Sequence, residues 1–152
     1  MSGGGGKLLG LRLATPDDVA ALFHVRTSVH ENHLSEEELS DLGITRDSVS
    51  DLLRSGEARG WCVEIDDVIV GFSMAQQSER DIFALFVLAE FERRGIGTAL
   101  IDAAVEWLRI GSSEPIRLDT GRGTKAFAFY IRRGWYEVAP LEDDDAILEL
   151  AV

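Results

Sequence analysis

Cysteine is nearly absent: Cys62 stands alone among 152 residues, so no disulfide closes within the chain, and the cystine-stapled folds of small secreted proteins are excluded. A reducing, cytoplasmic setting is the expectation. Between Trp61 and Val63 and close to Glu64, that thiol lacks the electropositive surroundings of a catalytic cysteine and reads as buried packing. Long apolar runs are missing as well. No stretch approaches the roughly 20 residues that cross a bilayer, so no membrane association is expected. Positive charge is scarce, with 15 Lys and Arg against 27 Asp and Glu, for a net charge of −12 and a pI near 4.6. Such a chain offers no general basic face to a phosphate backbone, which argues against a nucleic-acid partner and favours a cationic one. The histidines His24, His30 and His33 show no zinc-like spacing, and only His30 and His33 share a helical face, so no metal is expected.

What is present suits one ordinary globular unit. The chain is 45% hydrophobic and 28% charged with a mean hydropathy of +0.02. Residues 1–7 open with Met1-Ser2-Gly3-Gly4-Gly5-Gly6, have no apolar signal core and read as a flexible leader, leaving 8–152 as a single domain. Leu11-Arg12-Leu13 alternates like a strand. Thr15-Pro16-Asp17-Asp18 then starts a helix, with Thr15 as the expected acceptor of a first-turn N–H and Val19, Leu22, Phe23 and Val29 as its stripe. Ser35 and Glu38 form a capping box for a second helix ending near Gly43, and a third short helix runs from Thr45 to Arg54.

From Trp61 the period changes to that of strands. Trp61 to Ile65 and Val68 to Met74 flank the turn Asp66-Asp67, and Ile82 to Leu88 adds a third strand. A helix from Gly95 to Arg109 presents Ile96, Leu100, Ala103, Ala104, Trp107 and Leu108 to the sheet. Ile116 to Leu118 is a short strand, Lys125 to Arg133 a helix closed by Gly134, and 135–139 with 146–151 a final antiparallel pair. This order implies an α/β fold, a mixed sheet with helices on both faces.

Chemistry concentrates where the third strand leads into the long helix through Glu92-Arg93-Arg94-Gly95-Ile96-Gly97-Thr98-Ala99-Leu100. Two glycines remove Cβ atoms where a ligand would touch the backbone, and the helix that follows starts with unpaired N–H groups and a favourable dipole for an anion. Arg93 and Arg94 reverse the sign of the global charge at this point. A dinucleotide fingerprint is excluded, because Leu100 occupies the third glycine position and no βαβ unit precedes the turn. A nucleotide P-loop is excluded because Gly123-Thr124-Lys125 has the wrong order. The spacing alone leaves a diphosphate cradle and a plain packing turn both open.

Two blocks together carry a resemblance to the GNAT acyltransferases. The run Glu92 to Leu100 resembles that family's Gln/Arg-x-x-Gly-x-Gly/Ala element, and Ala126-Phe127-Ala128-Phe129-Tyr130-Ile131-Arg132-Arg133-Gly134-Trp135 is similar to its later Ala-x-x-Phe-Tyr-x-x-x-Gly-Phe/Trp element. The resemblance implies a fold of about seven strands, mostly antiparallel, splayed between the fourth and fifth. It implies an acetyl-CoA-dependent N-acetyltransferase, with acetyl-CoA held by Leu85, Phe86, Val87, Arg93, Arg94, Gly95, Ile96, Gly97 and Thr98. The Val87 N–H would polarise the thioester carbonyl, and Tyr130 would protonate the departing thiolate, since a phenol near pKa 10 stays protonated at neutral pH. Glu31 would be the base, with Glu79 or Asp81 as water-linked substitutes. The acceptor would be the amine of a small molecule or peptide, drawn by Glu142 to Asp145, and a homodimer is compatible with the family. Two departures stand out: Glu92 replaces the usual Gln or Arg, and Gly123, seven residues before Tyr130, replaces an Asn, a loss for which Arg122 and the loop backbone would compensate. These departures leave a non-catalytic acyl-CoA-binding module as the rival reading.

Overall fold

The computed structural model of the protein describes residues 10–152; the expected leader 1–7 lies outside the described residues. The elements, in order, are β1 (Leu11–Leu13), α1 (Val19–Ser28), α2 (Glu36–Asp41), α3 (Arg46–Ser55), β2 (Ala58–Ile65), β3 (Val68–Gln76), β4 (Asp81–Val87), α4 (Ile96–Gly111), β5 (Ile116–Gly121), α5 (Lys125–Arg132), β6 (Tyr136–Pro140) and β7 (Asp145–Leu150), with short 3-10 turns before α1, α4 and β7. The strands form one seven-stranded sheet in the order β1-β2-β3-β4-β5-β7-β6. Every neighbouring pair is antiparallel except β4 and β5.

The local chemistry follows the expected signals with one correction. Ser35 and Glu38 form the capping box at 3.1 and 2.9 Å, and Asp66 and Asp67 both take positive φ, 52 and 66°, as a two-residue hairpin turn requires. Thr15, however, makes no side-chain cap. Instead the Asp18 carboxylate accepts from the Thr15 N–H at 2.8 Å while Arg12 grips it at 2.8 Å, which holds the Asp18 carboxyl down to about 2. The Arg12 guanidinium is the stronger partner for that carboxylate because both groups are charged, while the Thr15 hydroxyl donates to it at a longer 3.3 Å.

Two strands run further than their propensities suggest. β5 continues through Asp119, Thr120 and Gly121 because β7 supplies partners to the end, Thr120 opposite Ala146 and Gly121 opposite Asp145. β2 begins at Ala58, opposite Gln76 of β3. Cross-strand pairing outweighs the weak β preference of glycine here.

Helices cover both faces. Ser73 of β3 donates from Oγ to the Leu100 carbonyl of α4 at 3.1 Å, which places α4 on the Ser73 face. The neighbouring residue Phe72 points the other way and packs against Phe86 at 5.7 Å between ring centroids, and Arg26 of α1 stacks over that Phe86 ring. The apolar face of α4 buries Ile96, Leu100, Ile101, Ala104, Val105 and Leu108, and Ala103 and Trp107, also expected to face the sheet, are half-buried at its margin. Trp107 meets Trp61 of β2 edge-on at 5.8 Å. The C-terminal end of α4 is closed by Arg80, whose guanidinium donates to the carbonyls of Leu108, Ser112 and Glu114.

Candidate functional site

The sheet opens at its centre. β4 and β5 share a single residue pair, Asp81 opposite Arg117, reinforced by the Arg117 N–H donating to the Arg80 carbonyl at 2.9 Å. Beyond it the strands part, because β5 is held along its other edge by β7 and β4 by β3. Leu88 donates its N–H to the Val70 carbonyl at 2.8 Å, so the antiparallel alternation turns Phe86 toward β3 and directs the N–H and C=O groups of Leu85 and Val87 into the opening. Backbone groups on that edge need partners, and an extended amide-bearing chain would supply them.

The opening forms one wall of a cleft of about 1230 Å³. The cleft runs along β4 from Ile82 to Val87, reaches Gly95, Gly97 and Thr98 at the start of α4, and is closed on the far side by Leu118 to Arg122 and by α5. Gly95 sits at the N-cap of α4 with φ 83° and ψ 5°, a conformation that side chains other than glycine rarely adopt, and no side chain caps the helix. The first amides of α4, those of Ile96, Gly97 and Thr98, therefore have no intrahelical acceptor. A methyl added at Gly97 would lie 3.8 Å from Phe129, an ordinary contact, so protein packing does not demand glycine there.

The expected cofactor residues do not all play the same part in this geometry. Arg93 lines the cleft, with φ 65° in the tight turn. Arg94 is outside the lining and stacks 5.1 Å from the Phe91 ring. The Ile96 side chain is 1% exposed and belongs to the core, so that residue offers the site only its amide. Glu92 lines the mouth and pairs with Lys125 Nζ across it at 3.4 Å, two exposed groups whose attraction water largely screens. That pair answers part of the departure at Glu92: its negative charge is offset by a lysine from α5.

Tyr130 comes from α5, a helix capped by Thr124, whose Oγ1 accepts from the Phe127 N–H at 3.0 Å. The ring is wedged between Phe129 and Trp135 at centroid distances of 5.5 and 5.8 Å and is 6% exposed. Its hydroxyl has no hydrogen bond among the described residues and is not sealed away, and Tyr130 lines the cleft. Burial pushes the phenol well above its ordinary range, which keeps it protonated.

Glu31 also reaches the cleft, from the loop after α1. Its carboxylate oxygens accept from the Lys125 N–H at 3.1 and 3.2 Å, at the start of the helix that carries Tyr130. The acid is thus held by a helix N-terminus, a favourable position for negative charge. Glu79 is exposed and Asp81 half-buried, and neither lines the cleft; burial raises the Asp81 carboxyl, and its Oδ1 has no partner. His30 lines the cleft, whereas His33 turns its Nδ1 to the Val29 carbonyl at 3.0 Å. Among the described residues, no three His, Cys, Asp or Glu side chains cluster as a metal site.

Sequence reasoning missed Lys125 and Ala126 as cleft residues. They lie opposite β4 with Asp119 and Thr120, and Asp143 to Asp145, part of the acidic run expected to draw the acceptor, reach the same cleft from the turn before β7. The signal was the block around Tyr130: whatever precedes its helix must border the same space. Arg122, expected to compensate for Gly123, is engaged by Glu137 at 3.0 Å and Asp144 at 3.2 Å. Cys62 is 0% exposed and its thiol is pushed up to about 11 by burial, far from the cleft lining and inert as a nucleophile.

A family model described as the acetyltransferase (GNAT) family matches residues 19–135. No curated protein sequence is a significant match. Among solved structures, the chain is similar to the PaiA N-acetyltransferase of Thermoplasma acidophilum in complex with coenzyme A, with a TM-score of 0.79, 17% identity and coverage of 93% of this chain and 98% of that one. It is similar to a GNAT acetyltransferase of Staphylococcus aureus Mu50, with a TM-score of 0.74, 16% identity and coverage of 93% and 97%. The ribosomal-protein-S18-alanine N-acetyltransferase of Escherichia coli aligns with a TM-score of 0.71, 16% identity and coverage of 93% and 92%. At such identities the likeness concerns the fold. No helix among the described residues is long and apolar enough to cross a membrane.

Proposed function

Since the chain belongs to the GNAT acetyltransferase family, we propose that it transfers the acetyl group of acetyl-CoA to a primary amine of a small molecule or peptide, directly, within a ternary complex. The observation that carries this reading is the meeting, in one cleft, of an open β4 edge, an uncapped α4 N-terminus and the free hydroxyl of Tyr130. The fold neighbour from Thermoplasma acidophilum is a coenzyme A complex, which fits that reading.

Each part has a task. The amides from Ile96 to Thr98 hold the diphosphate, with Arg93 adding charge, and the edge groups of Leu85 and Val87 pair with the pantetheine amides. The Val87 N–H polarises the thioester carbonyl as negative charge grows on its oxygen. The amine nitrogen forms the new C–N bond and the C–S bond breaks. Tyr130 gives its proton to the sulfur; the thiolate emerges into the same poorly solvated space, so its own proton affinity rises with that of the phenol. Glu31, held in place by the Lys125 N–H, takes through water the proton the ammonium loses before attack; the second proton, lost by the nitrogen once the C–N bond has formed, restores the Tyr130 phenol, and Glu31 returns its own to solvent. Cys62 has no part, and no covalent enzyme intermediate is required.

Thiol release from acetyl-CoA with a panel of amines tests this reading, together with thermal stabilisation by coenzyme A. Binding without turnover across the panel would leave only the non-catalytic acyl-CoA module. Glu31→Gln keeps an oxygen for the Lys125 N–H but loses the base, so kcat/KM should fall by about ten- to a hundredfold with coenzyme A affinity unchanged. An undiminished kcat/KM would take the role away from Glu31.

Glu92→Gln removes a carboxylate from the mouth and frees Lys125 for a phosphate. Calorimetric titration should show coenzyme A binding tightened by about two- to fivefold at low salt, with a smaller gain as salt is raised. Equal or weaker binding would show that Glu92 does not oppose the phosphates.

A further inference from the structure

Just outside the cleft lining, against Phe86 and Asn32 that belong to it, sits Arg26 of α1. Of the arginines that are not exposed, Arg12 is satisfied by Asp18 and Glu64, Arg122 by Glu137 and Asp144, and Arg80 by three backbone carbonyls. Arg26 has neither a carboxylate nor a full set of carbonyls among the described residues. It stacks 4.4 Å over the Phe86 ring and donates from Nη1 to the Asn32 carbonyl at 3.2 Å, both neighbours being part of the cleft lining. Nη2 and Nε have no acceptor among the described residues, and neither is sealed from solvent. Among 27 acidic residues none of the described ones pairs with this half-buried guanidinium, whose free donors face solvent and whose proton is held less tightly because of partial burial.

We propose that Arg26 binds a carboxylate of the acceptor, so that the substrates are small aminocarboxylates, free α- or ω-amino acids, rather than simple amines or polyamines. This rests on the acetyl-transfer reading above. A guanidinium presents a planar fork that matches a carboxylate with two parallel hydrogen bonds, and the Phe86 ring keeps water from one of its faces. The rest of the cleft orients such a zwitterion. Glu31, three residues after Ser28 ends α1, and Asp143 to Asp145 on the opposite wall attract the ammonium and repel the carboxylate. The amine is thereby turned toward Val87 and Tyr130 and the carboxylate toward Arg26. The electrostatic preference is for a molecule carrying both signs.

The test is thiol release from acetyl-CoA with matched pairs: phenylalanine against 2-phenylethylamine, lysine against cadaverine, and 4-aminobutyrate against propylamine. The carboxylate-bearing member should have the larger kcat/KM by at least about tenfold in at least one pair, as charged hydrogen bonds of this kind allow. In Arg26→Gln that ratio should fall to within about threefold of unity, and Arg26→Lys, a point charge without the fork, should retain only part of it. Thermal stabilisation by coenzyme A reports whether each variant is folded, and the wild-type ratio stands as a test even if a variant is not. Preference for the decarboxylated amines, or a ratio untouched in Arg26→Gln, overturns the inference while leaving acetyl transfer intact. No thiol release with any member of any pair overturns both.

Discussion

Tyr130→Phe should lower kcat for acetyl transfer by about a hundredfold, the usual contribution of a positioned acid, while acetyl-CoA affinity stays within about twofold. The hydroxyl is the only polar atom removed, and it bonds to nothing among the described residues, so stability should change by no more than about 0.5 kcal/mol. A merely structural tyrosine would behave in reverse, with stability lost and turnover kept. The pH dependence has a definite sign. Burial raises the folded-state pKa of Tyr130 above the unfolded value near 10, so its stabilising contribution is complete below that pH and is lost as the pH rises through the folded value. Across neutral pH the phenol is therefore a proton donor throughout. Steady-state kinetics beside a coenzyme A titration separates the outcomes, and unchanged turnover in Tyr130→Phe would reject the acid.

Gly97→Ala should separate binding from folding just as sharply. Its added methyl meets only Phe129, at 3.8 Å, and alanine is the better helix former, so stability should hold or rise by up to about 0.5–1 kcal/mol. Coenzyme A binding should weaken by about tenfold or more, equivalent to about 1.4 kcal/mol, because the methyl stands where the diphosphate must approach the amides. Gly95→Ala is the control of opposite sign. Nothing crowds its Cβ position, yet its φ of 83° makes any side chain strained, at a cost of about 1–2 kcal/mol. Melting curves and calorimetric titrations of the two variants give both quantities, and a Gly97→Ala protein that binds coenzyme A like the parent would contradict the cradle.

The parts of this molecule that were legible beforehand are those written locally. Capping pairs such as Ser35 with Glu38, the Asp66-Asp67 hairpin and the glycines around α4 each depend on residues a few positions apart, and the structure places them as expected. What the sequence could not show depends on partners far away. β5 runs on to Gly121 only because β7 lies beside it, and the Thr15 hydroxyl, instead of accepting from a first-turn N–H, donates to the Asp18 carboxylate that Arg12 grips. The site divides in the same way. The α4 turn and Tyr130 were marked by short motifs, whereas Lys125 opposite Glu92, the acidic turn before β7 and the unpaired Arg26 come together only through tertiary folding. Periodicity put Trp107 on the face that covers the sheet, where it meets Trp61, but a 3.6-residue repeat does not distinguish the fully covered side of a helix from the margin at which Trp107 is half-buried.

The central claim is that bare backbone donors around Gly95 and Gly97 grip a diphosphate while the edge of β4 receives the pantetheine arm. A crystal structure of the protein with coenzyme A tests it most directly. Diphosphate oxygens should lie within hydrogen-bonding distance, about 2.7–3.2 Å, of the amides of Gly97 and Thr98, with the sulfur near the Tyr130 hydroxyl. Coenzyme A bound with its diphosphate away from the start of α4, or with its sulfur outside the opening between β4 and β5, would contradict the account.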